Sequence, residues 1–384
     1  MTALVEPTFT VGIEEEYLLV DPESRDLVVE PPAGLMSALE DVLGERVTPE
    51  FLQSQVEIGT SKCASIREAA TELRELRGKV ADVARAHDLA LLAASTHPKA
   101  DWDRQKHTDK ERYNLLARDI QAPARRLVIC GMHVHVGLDD DNLRIDLMGQ
   151  AAYFTPHLLA LSTSSPFWRG RNSGLKSYRM AVFDELPRTG LPAQFDSWGE
   201  YQRHLQVLVD AGLIEDGSKL WWDVRPSCRF PTLELRAPDI CTRVDDGLAV
   251  AAIYLCLLRM LWRLKRTNQR WRRYSNMLIG ENRWRAMRYG MDEGLVDFGK
   301  GAVVAYADLL EEVLELIRED ALALDCLDLC EAARDVIERG TSADRQIRIY
   351  DAALEEGLER GQALDRVVDW LMEETVAGLD SEHT

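Results

Sequence analysis

The sequence predicts an α+β fold, with an antiparallel sheet in the first two-thirds of the chain and a helical portion after it. Six segments either alternate apolar and polar residues or consist of β-branched and apolar residues, as strands do. Gly, Pro or Asp bounds each of them. Several are apolar on one side only, which is typical of an antiparallel sheet with one packed and one open face. From about residue 270 onward the apolar spacing is helical, and we expect no strand there.

Strands and helices alternate along the first part of the chain. We expect strands at 9–20, 51–60, 89–95, 127–138, 219–226 and 231–237. We expect helices at 33–43, 65–87, 109–120, 141–162, 196–212 and 244–267. No flexible linker or internal repeat divides the chain, so we expect a single domain over 1–384, with a sheet-bearing core at 9–290 and a helical portion at 291–384 packed on it.

Composition limits the classes of partner. The chain has 384 residues, and its 46 basic and 65 acidic side chains give a net charge of −19. Such an acidic protein is a poor candidate for binding nucleic acid or an anionic membrane, because both attract basic surfaces. Any phosphate that the protein handles must therefore lie in a local basic pocket.

The sequence also predicts a cytoplasmic location. No stretch reaches the ~18 consecutive apolar residues that a membrane helix needs, and the start, MTALVEPTFTVGIEEE, does not resemble a signal peptide. The chain has seven cysteines, an odd number, and its sequence contains no C-x-x-C motif. We therefore expect neither a disulfide framework nor a thiolate zinc site. Cys326 and Cys330, four apart on a predicted helix, are expected to be ordinary partly buried thiols.

Carboxylates occupy one face of two predicted strands. In VGIEEEYLLVD, Glu14 and Glu16 share a face and Glu15 points the other way. In FLQSQVEIGTS, Glu57 is the single carboxylate of an otherwise neutral strand. Neighbouring carboxylates repel unless a cation or an arginine lies between them. The pattern indicates either a cation site or a salt-bridged edge strand.

A pair of histidines marks a third strand. In RLVICGMHVHVGLDD, His133 and His135 share a face, and Gly131 and Gly137 flank them. One histidine would be best explained as a core residue with satisfied hydrogen bonds. Two on one face favour a site for a metal, a phosphate or a carboxylate.

Two further strands each carry an acid followed two residues later by an arginine. These pairs are Asp223 with Arg225 and Glu234 with Arg236. Each pair could be a surface ion pair, but arginines on such a face are also well shaped to bind phosphate. The loop at 163–179 adds a basic set that is either a substrate-anion site or a plain surface loop, and its members are Arg169, Arg171, Lys176 and Arg179.

Familiar nucleotide motifs are absent. The sequence contains no G-x-x-x-x-G-K-[ST] and no G-x-G-x-x-G. If ATP is used, it is not held by a P-loop.

Six short segments occur along the chain in the order GIEEEYLLVD, QVEIGTS, GMHVHVGL, GRNSGLKSYR, WWDVRPS and TLELRAPD. Together they resemble the bacterial carboxylate–amine ligases described as type 2 glutamate–cysteine ligases. The resemblance covers residues 9 to 290. It implies the glutamine synthetase-like superfamily, whose curved antiparallel sheet forms an active-site cup flanked by helices, and whose members use Mg²⁺ and ATP to make an acyl phosphate that an amine attacks.

The resemblance also implies roles for individual residues. Glu14, Glu16, Glu57 and Glu234 would be ligands of Mg²⁺ or Mn²⁺. His133 would lie near the metal or the phosphates, and Arg236 would contact the transferred phosphate. We place His135 and Arg225 beside them as catalytic residues, and assign substrate or nucleotide binding to Asp223 and to the basic residues of the 163–179 loop.

Several alternatives remain at this stage. The same carboxylates and histidines suit a metal-dependent hydrolase, although a hydrolase has little need of so many arginines. A phosphotransferase would stop at the phosphorylated substrate, and a ligase could use an amine other than cysteine. The chain could also be a non-catalytic relative that only binds a ligand, but the complete set of site residues speaks against that interpretation. The sequence leaves the oligomeric state open, a homo-oligomer included.

Overall fold

The computed structural model describes residues 5–379. It confirms the α+β fold, with one large antiparallel sheet, surrounding helices and a helical C-terminal part. The strands are β1 (Val11–Asp21), β2 (Asp26–Leu27), β3 (Val47–Pro49), β4 (Gln55–Gly59), β5 (Ala90–Leu92), β6 (Met132–Gly137), β7 (Phe167–Trp168), β8 (Arg171–Asn172), β9 (Thr189–Gly190), β10 (Trp221–Trp222), β11 (Val224–Pro226), β12 (Thr232–Leu235), β13 (Leu295–Asp297) and β14 (Ala302–Val304).

Helices make up most of the remaining chain and nearly all of its C-terminal part. They are α1 (Leu35–Leu43), α2 (Ile66–Ala86), α3 (Glu111–Ile120), α4 (Ala122–Arg125), α5 (Asp141–Ala151), α6 (Thr155–Ser162), α7 (Tyr178–Phe183), α8 (Trp198–Asp210), α9 (Val244–Arg266), α10 (Asn276–Tyr289), α11 (Tyr306–Ala323), α12 (Leu327–Glu331), α13 (Ala333–Arg339), α14 (Ser342–Glu355) and α15 (Arg360–Val376).

The long strand β1 organises the central sheet. The strand order is β11-β12-β6-β1-β4-β3, every pair is antiparallel, and β2 and β5 also pair with β1. Along β1 the odd-numbered residues from Val11 to Tyr17 are buried and the even-numbered residues are partly exposed. The apolar face packs against α2 and α9. The opposite face is the open one, as the alternation predicts.

The apolar side of the sheet contains one buried charged pair. Glu15 lies on this side, fully buried, and its carboxylate binds the buried guanidinium of Arg77 from α2 at 2.6 Å. Arg77 also donates to the backbone oxygens of Cys241, Thr242 and Thr375. This pair therefore ties β1 to the start of α9 and to the C-terminal helix α15.

Helix α9 forms the centre of the core. By length and composition it could cross a membrane, contrary to our expectation that no stretch would, but 83% of its apolar window is buried inside the protein. It contacts α2, α5, α6 and α11, and its residues from Leu248 to Leu258 are buried. We therefore describe it as a core helix.

Three local predictions are wrong. The segment 141–162 is two helices, because Pro156 in the first turn of α6 cannot continue the preceding helix. The segment 219–226 is split between two sheets: Trp221 pairs with Thr189, whereas Arg225 pairs with Glu234. The C-terminal part contains a hairpin, β13–β14, whose three-residue strands are too short to show a period.

Candidate active site

Strand register brings the predicted polar residues into a continuous group on the open face. Glu16 lies opposite Glu57, and Glu14 lies opposite His133. His135 lies opposite Glu234, which in turn lies opposite Arg225. Residues directly opposite in antiparallel strands share a face. We call this set, together with Arg236, the polar face.

The first cluster on the polar face contains Glu14, His135 and Glu234. One ligand atom from each lies within 4.8 Å of the other two. His133 Nδ1 is 3.1 Å from Glu14 Oε2, and His135 Nε2 is 3.4 Å from Glu14 Oε1. Thr232 Oγ1 holds His135 Nδ1 at 2.9 Å, and the buried Nε2 has no hydrogen-bond partner within residues 5–379. A free ring nitrogen aimed between two carboxylates is suited to a ligand.

The second cluster is purely acidic and includes a residue that the sequence did not indicate. Glu16, Glu50 and Glu57 each offer an oxygen, and these oxygens lie within 4.8 Å of one another. Burial and the charge of Glu50 raise the pKa of Glu16 to about 7. Burial and the charges of Glu50 and Glu14 raise the pKa of Glu57 well above its usual value. Three clustered acids, two of which have raised pKa values, form a strong candidate site for a divalent cation.

Charge in the first cluster is better compensated. Burial opposes ionisation of Glu234, but Arg236 and Arg225 outweigh it and lower the pKa of that carboxyl. Burial likewise opposes ionisation of Glu14, but the hydrogen bond with His133 and the neighbouring imidazole of His135 outweigh it and lower the pKa of that carboxyl well below its usual value. Burial and Arg236 lower the pKa of His133 to about 4. His133 is therefore neutral near pH 7 and is free to act as a ligand.

Two arginines from β11 and the end of β12 flank Glu234. Arg225 binds it with two hydrogen bonds, at 2.9 and 3.1 Å, and also donates to the backbone oxygens of Ser218 and Leu220. Arg236 binds Glu234 through Nη1, but its buried Nε has no hydrogen-bond partner within residues 5–379. Of the two, Arg236 has an unused donor for an anion on the polar face.

Arg179 contacts the backbone that carries Arg236 of the polar face. It is buried, and it donates to the backbone oxygens of Arg236 and Ala237. Its guanidinium fills the space that a side chain at Gly131 would need, since an added Cβ would come within 2.3 Å of Nη2. The Gly131 N–H donates to Glu16 at 2.8 Å. These contacts let Arg179 position the backbone at Arg236, and its predicted role in substrate binding stays a prediction.

The other predicted substrate residues have different partners. Arg169 pairs with Asp101 at 3.0 Å, and Arg171 is exposed on β8 with no ion pair among the described residues. Lys176 binds Asp292 at 2.5 Å and also Asp344, away from the acids of the polar face. Asp223 is buried and bound by Arg283 at 2.7 Å. Within residues 5–379, none of these four predicted substrate residues forms an ion pair with a carboxylate of the polar face.

Sequence reasoning missed Glu50 and Arg283. Glu50 follows β3, a three-residue strand ending in Pro49, and a proline there weakens the strand signal. The position of Thr48 opposite Glu57 is what brings Glu50 to the cluster. Arg283 lies on α10 and reaches Asp223 over a separation of 60 residues. No local pattern reports such a contact.

The donor atoms of the polar face fit a hard divalent cation. Mg²⁺ prefers carboxylate oxygens and water, and it bridges phosphates. Glu16, Glu50 and Glu57 offer only oxygens, and Glu14 and Glu234 offer oxygens beside the free His135 nitrogen. No other cluster of three carboxylates with these distances occurs among the described residues.

Comparisons with known proteins agree on one family. The profile of glutamate–cysteine ligase family 2 matches residues 10–369. A protein of Rhodospirillum rubrum named "Putative glutamate--cysteine ligase 2" is 60% identical over 381 residues, covering 98% of each chain. A protein of Jannaschia sp. with the same name is 54% identical and covers 95% of this chain and 96% of its own.

Solved structures share the fold. The crystal structure of glutamate–cysteine ligase from Francisella tularensis in complex with AMP superposes with a TM-score of 0.69 at 15% identity, covering 99% of this chain and 91% of that one. A bifunctional glutathione synthetase from Pasteurella multocida gives a TM-score of 0.67 at 15% identity, covering 96% of this chain and 52% of that one. At this identity the likeness is one of fold.

Proposed function

Because this chain belongs to glutamate–cysteine ligase family 2, it is an ADP-forming carboxylate–amine ligase, and we propose that it joins the γ-carboxylate of glutamate to an amine such as cysteine. The reaction would be Mg²⁺-dependent and would pass through an acyl phosphate. The observation that carries this proposal is the register that sets two carboxylate clusters beside Arg236 on one face.

The chemistry needs close-range charge neutralisation. A carboxylate condenses with an amine only after one of its oxygens becomes part of a leaving group, and transfer of the ATP γ-phosphate achieves this. The carboxylate oxygen attacks γ-phosphorus, the bond to the β,γ-bridging oxygen breaks, and ADP leaves. The amine then attacks the acyl carbon, loses a proton and releases phosphate. Both reactants of the first step are anionic, so catalysis depends on positioning and neutralisation.

Named residues could supply these functions. Arg236 is held at Glu234 by Nη1, which leaves Nε free to donate to the transferred phosphate. Its contact would strengthen as charge moves onto the phosphate in the transition state. Arg225 also holds Glu234, so the Glu234 carboxylate keeps one orientation.

The two clusters would hold the cations. We assign Glu16, Glu50 and Glu57 to one site, and Glu14, Glu234 and His135 to the other. When bound, Mg²⁺ or Mn²⁺ would neutralise the ATP phosphates. His133 is neutral near pH 7 and would keep Glu14 oriented through the 3.1 Å contact.

An ADP-release screen of glutamate against a panel of amines tests the proposal. We expect ADP and an amide product with cysteine or a related amine, and no product without ATP. Product formation without ATP would favour a hydrolase, and a phosphorylated product that persists with every amine would favour a phosphotransferase. Glu14→Gln is the negative control, and Glu331→Gln at the partly exposed end of α12 is its matched control.

A further inference from the structure

Three thiols that are distant in sequence meet in the core. Cys256 lies in the middle of α9, Cys326 is the residue that precedes α12, and Cys330 lies within α12. The Cys256 Sγ is 3.4 Å from that of Cys326 and 3.8 Å from that of Cys330. All three sulfurs lie within 4.8 Å of one another, and all three residues are buried. The reaction proposed above uses none of them.

The spacing of the sulfurs matches a metal site. Zinc lies ~2.3 Å from each thiolate sulfur, which places sulfurs that share one ion ~3.8–4.0 Å apart. The two measured separations are within about half an ångström of that range, so only small side-chain shifts are needed.

One guanidinium lies near the charge that the metal site would carry. Three thiolates and one divalent cation leave one net negative charge, and buried charge is costly unless it is compensated. The Arg67 guanidinium donates to the backbone oxygen of Asp325, next to Cys326, and its positive charge acts on that residue. Arg67 is fixed by Asp328 at 2.6 Å and by Asp325 at 3.1 Å, and its side chain is partly exposed.

We propose that Cys256, Cys326 and Cys330 form a three-thiolate site for one thiophilic divalent cation of the zinc class. Each thiol releases its proton to solvent on binding. Among the described residues no histidine or carboxylate belongs to the cluster, so water would take the fourth position of a tetrahedral ion. The proposal differs from our expectation that the chain has no thiolate zinc site. The sequence could not indicate this cluster, since Cys256 lies 70 residues before Cys326 and no spacing motif links them.

The site would bind a metal different from that of the polar face. Thiolates select soft ions such as Zn²⁺ and Cd²⁺, whereas the carboxylate clusters select Mg²⁺. The cation would join α12 to α9, so we assign it a stabilising role separate from catalysis. The proposal does not depend on the function proposed above.

Cadmium is a direct probe, because thiolate-to-cadmium charge transfer gives an ultraviolet band that carboxylates do not. The reduced, metal-free full chain is titrated with Cd²⁺ in excess Mg²⁺. We expect one Cd²⁺ per chain with the thiolate band, displacement by Zn²⁺, and a higher unfolding temperature. Cys330→Ser should weaken binding by ~100-fold or more. The matched controls are Cys228→Ser at an exposed thiol and Cys63→Ser at a buried thiol elsewhere, and both should bind as wild type does.

A second measurement needs no variant. X-ray absorption of the Cd²⁺-loaded wild-type chain should show three sulfur ligands, which keeps the test decisive if Cys330→Ser does not fold. No thiolate band, fewer than three sulfurs, or binding that Cys228→Ser abolishes would overturn the proposal.

Discussion

Glu16 lies directly opposite Glu57 across the β1–β4 pair, and both carboxylates point to the polar face. Glu50 completes the group from the end of β3. In a partly buried cluster of acids, each ionised carboxylate disfavours ionisation of the others, and this raises the pKa values of Glu16 and Glu57. A divalent cation would offset this effect, so the cluster links protein stability to both pH and metal.

Without metal, the free energy of unfolding should fall as pH rises from about 4.5 to 7. The pKa of Glu16 is raised from 4.5 to about 7, so in this window the folded chain keeps a proton that the unfolded chain releases. The stabilisation is complete below the window and lost above it. Saturating Mg²⁺ should stabilise the protein at about pH 8 and hardly at all at about pH 5, because it binds the ionised acids. Urea unfolding measures both effects, and equal stabilisation at the two pH values would contradict the assignment.

Glu15→Gln should damage stability and spare catalysis. Glu15 points away from the polar face, as strand alternation predicts, and its partner Arg77 is fully buried. Breaking such a pair leaves a buried charge and costs ~3–5 kcal/mol. Denaturant unfolding should show this loss, while kcat of the folded enzyme stays within ~10-fold. The double variant Glu15→Gln/Arg77→Met should recover part of the stability. A stable but inactive Glu15→Gln enzyme would show that the strand faces are misassigned.

Gly131→Ala should lower activity through Arg179. The added Cβ would displace the guanidinium that supports Arg236 and disturb the N–H that binds Glu16. We expect kcat to fall by ~10-fold or more. The matched control is Gly78→Ala in α2, where an added Cβ meets nothing within 4 Å. There the same change should leave kcat unchanged and stabilise the helix by ~0.5–1 kcal/mol. Equal kinetics for the two variants would argue against the positioning role.

Arg236→Ala should reduce kcat far more than it raises KM for the amine. The free Nε donor is proposed to contact the phosphate as it transfers, and contacts made only in the transition state appear in kcat. We expect a loss of ~100-fold or more. Arg334→Ala, at a surface pair with Glu311, is the matched control and should change neither constant. A rise confined to KM would assign Arg236 to substrate binding.

The sequence predicted those parts of the site that follow from strand alternation. Glu14, Glu16, His133, His135 and Glu234 could be placed on one face, because each lies on a strand long enough to show its period. Register between strands then aligned them.

Contacts between distant elements could not be predicted. Lys176 looked like a free cation but is held by Asp292 and Asp344, which come 116 and 168 residues later. Asp223 looked open but is bound by Arg283 from α10. Glu50 follows a strand too short to recognise. In each case tertiary packing determines the partner, and the local spacing of apolar and polar residues carries no information about it.

Isotope transfer tests the acyl-phosphate ligase most directly. Glutamate labelled with ¹⁸O in its γ-carboxylate is incubated with ATP, Mg²⁺ and the best amine from the screen, and the released phosphate is analysed by mass spectrometry. The proposed mechanism predicts one ¹⁸O atom in each released phosphate and ADP as the nucleotide product, because the attacking oxygen stays on phosphorus when the amine displaces it. Unlabelled phosphate, or AMP in place of ADP, would contradict it even if the amide forms.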